Sequence, residues 1–496
     1  MRTLQFKLAG LLCLIFFFMV PNAFAQDITD ALRLGLPYTS SDARALGMGD
    51  SYIGLSDGTG AAEFNPAGFG LLKKLEVSAG INYLSYNNNT NFLNQFSNYS
   101  NSATRLSNFS LAFPYPTTQG SLVFGLSYHS TQDYTAAMKF NGFNSGNNSL
   151  IQDLNTPLYI SYDSNGNPTN IPFQLFLTGT NYSSQTGFNS IFSGQLNQSG
   201  TILQSGSTGN WTFSGAIEVY KNLFVGLNLN ILSGSYENNY NYYEKDTHGI
   251  YYNQETSPGD TTTYGFQTFH MNNLLDWNLS GWDAKIGILY QLENHSRFGI
   301  TVQFPKSYTV KETFNTQADA IFINNPTSTY SYNDQVQYDI VTPFELGAGF
   351  AFNIQSLVIS AQATLIDYSQ LKFDNADGID AQTIASLNQS IKDNFRSVVN
   401  YNIGAEYTLP EIGLRLRAGF FVQPSAYQND PSQYDRKYYT LGVGYLTDSA
   451  LEIDLAYAHG WWNDYGYNYN DQYYVSPTTN QSITTNNFIV STTFRF

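Results

Sequence analysis

Cysteine is all but missing from this chain: among 496 residues there is one, Cys13. It lies in a stretch with the marks of a secretory leader. Arg2 and Lys7 form a basic start, Leu8–Val20 an apolar core, and Ala23-Phe24-Ala25 a small-residue cleavage site. Cys13 sits inside the apolar core, which excludes a lipoprotein anchor at that thiol. With residues 1–25 removed, the chain from Gln26 onward is expected to carry no thiol, so disulfides, thiolate catalysis and cysteine metal sites are excluded.

Charge is also scarce, at 12% of residues against about 25% in an average soluble domain. The 22 Lys and Arg face 38 Asp and Glu, a net charge of −16. Loss of Arg2 and Lys7 with the leader leaves 20 basic against 38 acidic side chains, or −18, which excludes nucleic acid as a partner. Long apolar runs are lacking too. After residue 25 none approaches the roughly 18 residues a membrane helix needs. Nor are there signs of an enzyme. His129, His248, His270, His295 and His459 are dispersed, with no nucleophile motif beside them. The acidic turns at Asp163–Asn167 and Asp374–Asp380 lack the closing Glu of a calcium loop. No metal and no cofactor is assigned.

What the chain has is aromatics, 16% of residues, in a background of Asn, Ser, Thr, Gln and Tyr with mean hydropathy −0.27. Those aromatics alternate with polar residues. In the last ten residues, Asn487–Phe496, one face carries Phe488, Val490, Thr492, Phe494 and Phe496, the other Ile489, Ser491, Thr493 and Arg495. The same two-face pattern recurs in about fourteen segments, beginning near Leu75–Tyr86. Trp211, Phe213, Ile217 and Val219 share one face, as do Leu223–Leu229, Phe298–Phe304, and Leu451, Ile453 and Leu455 read in steps of two. The opposite face receives Glu218, Asp283, Lys285, Arg297, Glu345, Glu406, Arg415, Arg417, Glu452 and Asp454. Short connections such as Lys221-Asn222 and Pro410–Gly413 alternate with long polar ones, the longest near Gln132–Gly209. The expected fold is all-β: a transmembrane antiparallel β-barrel of about fourteen strands, since in a bilayer only a closed barrel can pair every strand's backbone.

Residues 26–72 break the pattern. Helices are expected over Asp27–Leu34 and Ser41–Leu46, the second capped by Ser41, and then come the glycine-rich stretches Asp57-Gly58-Thr59-Gly60 and Phe64-Asn65-Pro66-Ala67-Gly68. The run Ser41–Gly70, with Asn65-Pro66-Ala67 inside it, resembles the N-terminal hatch of the FadL family, outer-membrane transporters of long-chain fatty acids and other hydrophobic compounds. Thr342–Phe352 and Asp435–His459 read like late strands of that family. The resemblance implies three parts: a leader at 1–25, a lumenal hatch (plug) at 26–72 and an outer-membrane barrel at 73–496. It implies passive diffusion of fatty-acid-like or aromatic hydrocarbon molecules inward, in a Gram-negative outer membrane. The route it implies runs from a loop groove to a lumenal pocket, then past the hatch or sideways through the wall, with Asn65 tying hatch to barrel. The alternative is a non-transporting, PorV-like partner of a secretion or surface-attachment system. Expected partners are outer-membrane lipid and lipopolysaccharide and a hydrophobic ligand, with the protein itself a monomer.

Two expectations concern sites. The inward charges near the short turns would form a mixed-sign collar gripping the hatch through Asp42, Arg44 and Glu63; simple solvation of a wet lumen is the alternative. In the resemblance, loops after the third and fifth strands capture ligand. Here those places hold Phe173, Leu175, Phe176, Phe188, Ile191 and Phe192, and Phe266, Phe269, Leu274, Leu275 and Trp277. Packing of these loops into a cap is the alternative. Asp380–Phe395 reads as an amphipathic helix through Ile384, Leu387, Ile391 and Phe395. Tyr236–Tyr243 and Trp461–Tyr469 read as an interfacial aromatic girdle, and Gly125 marks the third strand as a candidate for a bend.

Overall fold

The computed structural model describes residues 27–496 apart from 185–186, 257–262, 325–327, 448–449 and 470–473. The leader and Cys13 lie outside the described residues. The chain forms a closed antiparallel barrel of fourteen staves. These are β1 (Glu76–Phe92), β2 (Gln95–Tyr115), β3 (Leu122–Asp133, continued by Ala136–Asn144), β4 (Leu196–Tyr220), β5 (Leu223–Lys245), β6 (Phe266–Gln291) and β7 (Arg297–Gln303, continued by Ser307–Phe322). Then follow β8 (Ser328–Val341, continued by Glu345–Ile354), β9 (Leu357–Asp367, continued by Lys372–Asp377), β10 (Ser397–Leu409), β11 (Leu414–Gln423), β12 (Arg436–Thr447), β13 (Leu451–Tyr467) and β14 (Thr478–Arg495). β1 pairs with β2 on one side and with β14 on the other, from Glu76↔Arg495 to Phe92↔Thr479, which closes the cylinder.

The two faces are opposed. Trp282 is 63% exposed and its neighbour Asp283 1%; period-two alternation on a closed wall leaves no other arrangement. Phe298, Ile300, Leu346, Phe350, Tyr401, Ile403, Leu416, Phe420, Leu455, Phe488 and Val490 face outward in the same way. Glu406, Arg417, Glu452 and Asp454 are buried on the inner side.

The staves are longer than their apolar patterns. β5 has 23 residues and β6 26, whereas about 9–11 suffice to cross the hydrocarbon. On β5 the outward face changes from Leu223, Val225, Leu227, Leu229 and Ile231 to Ser233, Ser235 and Glu237, so more than half of this stave stands in water. Phe266, Phe269, Leu274, Leu275 and Trp277 therefore belong to strand β6, not to a loop. Likewise β4 begins at Leu196, inside the stretch read as the longest loop, and β1 meets β2 through Leu93-Asn94 alone, both at positive φ. Polar residues on both faces hide these extensions from a pattern search. The expected girdle is split by the same alternation: Tyr236, Tyr242 and Trp462 point inward, while Trp461, Tyr465 and Tyr467 stay on the outer face.

Two of the staves read as continuous are broken by proline, β7 at Pro305 and β8 at Pro343, where the ladder loses a donor. Inside the cylinder lie α1 (Ile28–Gly35), closed by a capping box on Asp27, and α2 (Ala43–Gly47). Asp42, not Ser41, caps α2, because its carboxylate accepts from the Ala45 amide. A third helix, α3 (Ala381–Asn394), buries Ile391 and, just past its end, Phe395; both share a core with Ala31, Leu32 and Leu34 of α1.

Leu227→Arg, in the middle of the outward apolar row of β5, is expected to destabilise the barrel by about 2–4 kcal/mol. Glu237→Arg, farther along the same face, should change little. Urea unfolding in phospholipid vesicles compares the two.

Candidate functional site

The lumen holds its own N-terminal segment by ion pairs and by close contacts onto bare glycine backbone. Arg44, in α2, gives Nε and Nη2 to the two carboxylate oxygens of Glu406 at 2.9 Å each and Nη1 to Asp57 at 2.6 Å. Asp57 also receives Arg297 Nη1 at 3.0 Å. Glu406 in turn binds Arg417 at 2.6 Å, and Arg417 reaches Asp454. Glu452 joins Arg415 and Arg495, and Arg495 reaches Glu76 at 2.7 Å. Segment and wall thus share one continuous network, in which a two-pronged guanidinium matches a carboxylate pair.

The other predicted charges sit elsewhere. Lys285 donates to the Glu63 carbonyl at 2.6 Å, Glu345 pairs with Lys306, and Asp283 accepts from Asn230 and Gln303. Glu218 lies outside the network: its carboxylate accepts from the Asn222 amide in the turn after β4. Asp42 and the Glu63 side chain bond within the segment, Glu63 to the Ser40 and Ser41 hydroxyls and the Ser41 amide. Burial pushes the Glu63 carboxyl up to about 7 despite those donors, and it raises Asp50 in the same direction.

Asn65 donates to the Ile53 carbonyl of the segment and to the Ile288 carbonyl of β6, both at 3.1 Å, and accepts from the Ala67 amide. Pro66 and Ala67 open the buried turn that follows. This approach needs bare backbone on the wall. A Cβ on Gly287 would lie 2.0 Å from Asn65 Oδ1, and one on Gly226 2.3 Å from the Pro66 carbonyl carbon.

Outward of the segment, toward the long loops, is a cavity of about 640 Å³. Its floor includes Leu36, Pro37 and Tyr38 and its walls Tyr86, Tyr438 and Trp462. The Tyr86 and Trp462 rings meet edge to face at 6.3 Å, and the Arg436 guanidinium stands 5.0 Å over the Trp462 ring. Among the described arginines on barrel strands, Arg436 alone has no carboxylate within ion-pair distance.

The cavity borders a seam. The ladder between β2 and β3 ends at Asn108↔His129; beyond it β2 pairs only with β1, while β3 shifts register on β4 at Ser130–Gln132 and restarts at Ala136. Side chains cross the seam instead: Arg105 to Asp133 at 2.9 Å and to the Gly206 carbonyl at 3.0 Å, and Asn101 to the Gln204 carbonyl at 2.9 Å. The irregularity of this stave is thus at 130–135, and Gly125 stays within the regular ladder.

The loop aromatics close the outer end. Leu175, Phe192, Phe266 and Phe269 are buried in one core with Phe140 and Tyr242, and Ile191 packs on it. Phe173 and Phe188 pack ring to ring at 4.8 Å, and Phe176 is exposed. Leu275 and Trp277 face the lumen beside α1, and Leu274 lies on the opposite face. Of the residues expected to capture ligand, most are packed against one another.

Residues 37–496 match the family model described as outer membrane protein transport protein (OMPP1/FadL/TodX). The chain belongs to this family. Among solved structures, a Pseudomonas aeruginosa FadL homologue aligns at 14% identity with TM-score 0.56, over 93% of this chain and 98% of that one. The P. putida toluene transporter TodX aligns at 14% and 0.54 over 92% and 99%, and the Ralstonia pickettii toluene transporter TbuX at 16% and 0.50 over 92% and 99%. At such identities these share the fold. No curated protein sequence matches the chain. As a family member it is a β-barrel of the Gram-negative outer membrane.

Asp57, Glu76 and Arg495 belong to the ion network without having been singled out in the sequence, and Tyr86, Arg436, Tyr438 and Trp462 line the cavity in the same way. The adjacent pair Trp461-Trp462 was the available signal, since on a strand one of the two must face inward.

Arg417→Glu should break three ion pairs, to Glu406, Glu452 and Asp454, and set like charges beside them, raising entry of bulky polar antibiotics into cells; unchanged sensitivity would mean the network does not hold the segment. Because the folded Glu63 and Asp50 carboxyls titrate above their unfolded values, the docking they favour is complete below about pH 4.5 and is lost as pH rises through about 7. Protease cleavage within 27–72 is therefore expected to be faster at pH 8 than at pH 5.

Proposed function

We propose that this protein takes up hydrophobic small molecules across the outer membrane by passive diffusion, through a lumen plugged by residues 27–72. The reading is carried by the aromatic-walled cavity of about 640 Å³, set between that plug and the seam beside β3. Transfer of apolar surface from water to such walls gains about 25 cal/mol per Å², and no step needs an energy source. The names of the similar structures, a FadL homologue and two toluene transporters, point to the same ligand class.

Within that class, the guanidinium of Arg436, which feels the charge of Asp464 in the same cavity but has no carboxylate within ion-pair distance, favours an amphiphile whose apolar body lies along Tyr86 and Trp462 and whose single anionic group meets Arg436. The seam offers the exit. Its backbone is bridged by Arg105 and Asn101 side chains, which can part without breaking a ladder. A ligand leaving there would enter the bilayer sideways and spare the ion network beneath it. The packed loop aromatics act as a cap over the lumen.

Uptake by vesicles containing the purified barrel tests this. A fatty acid and a neutral aromatic hydrocarbon should both enter faster than into empty vesicles. Arg436→Gln should slow the fatty acid by about tenfold, equivalent to ~1.4 kcal/mol, and leave the hydrocarbon unchanged. Uptake no faster than in empty vesicles would remove the transport reading.

A further inference from the structure

The outside of a barrel is ordinarily convex, and this one is indented. Just beyond the outward row of Trp211, Ile231 and Trp282, a concavity of about 1020 Å³ runs from β3 across to β9. The inner and outer faces of these staves have exchanged bulk. Ser207, Gly209, Ser233 and Ser235 put almost nothing on the outer side. On the inner side Tyr236, Trp277 and Tyr338 are fully buried in the core that includes α1.

The surface of the groove is polar. Asp276 and Asn278 form its floor, with Lys311 and Gln337 on the adjoining staves. None of these four side chains forms a hydrogen bond or ion pair with another described residue. At one end stands Tyr128, its ring centroid 5.5 Å from that of Trp211. The set combines an acceptor pair, two amides that donate and accept, and an ammonium donor, beside an aromatic ring that offers an apolar face. Neighbouring hydroxyls of a sugar present this mixture in complement. Charge narrows the choice further. Asp276 and Asp377 outnumber Lys311, so a bare phosphate or carboxylate head is disfavoured, whereas a neutral hydroxyl-rich group is not.

Position identifies what carries the sugar. The groove is continuous with the lipid-facing row beneath it, at the height where aromatic residues mark the membrane interface. A molecule whose acyl chains lie along Ile231 and Trp211 has its head in the groove. We infer that this indentation binds the saccharide head of a glycolipid of the outer leaflet. The site lies on the opposite side of the wall from the lumenal cavity and does not depend on the transport reading.

Extraction from bacterial outer membranes in mild detergent, followed by native mass spectrometry, tests it. The wild type should retain a glycolipid adduct. Ser233→Trp with Ser235→Trp, which fills the groove, should lose it, and Asn278→Ala, which leaves the wall unchanged in shape, should lower its occupancy. Arg436→Gln should keep it, which separates the groove from the lumen. A wild type free of glycolipid, or one carrying phospholipid alone, overturns the inference. So does an adduct undiminished in both the filled and the Asn278→Ala variants.

Discussion

Hydrocarbon offers no partner to a backbone N–H or C=O, and the whole molecule answers to that constraint. The wall must close on itself, and β1 does so with β14 in an unbroken run of pairs. Closure leaves each side chain only two directions, lipid or lumen. Three of the breaks in the ladder lie at the outer edge of the apolar band: after His129, beside Tyr128, on β3, at Pro305 next to Phe304 on β7, and at Pro343 next to Phe344 on β8. There water and polar side chains can satisfy what the ladder drops. The seam between β2 and β3 follows this rule, with Arg105 and Asn101 supplying hydrogen bonds in place of the missing rungs.

The N-terminal segment is held by two unlike means. One is charge, and on β10 to β14 its members are nearly dry: the Arg417 side chain is inaccessible and Glu406 is buried. Such pairs cost desolvation to form, so their net contribution is smaller than their number suggests, but removal of one partner strands a buried charge. The other is shape: the Asn65-Pro66-Ala67 turn is set against bare glycine backbone at Gly226 and Gly287, and Gly47–Gly49 against Gly404, Gly419 and Gly442. Shape tolerates no added atom, whereas charge tolerates small movements.

Apolar material is spent in three separate places: outward against lipid, in the lumenal core around α1 and α3, and in the cap built by the loops after β3 and β5. The first shows as strict alternation. The other two use the same residue types with no fixed period, because their partners come from distant parts of the chain. Trp277 is an example. Its indole donates to Glu312 on β7 at 3.0 Å and lies beside Arg33 of α1, neither of which is near it in sequence.

The sequence by itself determined the class of molecule. A period of two with aromatics on one face and charges on the other admits a lipid-facing barrel of about fourteen staves, and Ser41–Gly70 could be told apart from the wall because it breaks that period. The inward side of Arg297, Glu406, Arg417 and Asp454 followed from parity alone, since parity is local. Only the tertiary structure decided how far the staves extend past the membrane, where polar residues on both faces erase the signal. It alone decided which inward charges meet, joining Arg44 to Glu406 across 362 positions while leaving Glu218 in a turn and Arg436 with no carboxylate within ion-pair distance. Such partnerships depend on the stagger between staves and on the path of the enclosed segment, and neither is written in the spacing of residues along a strand.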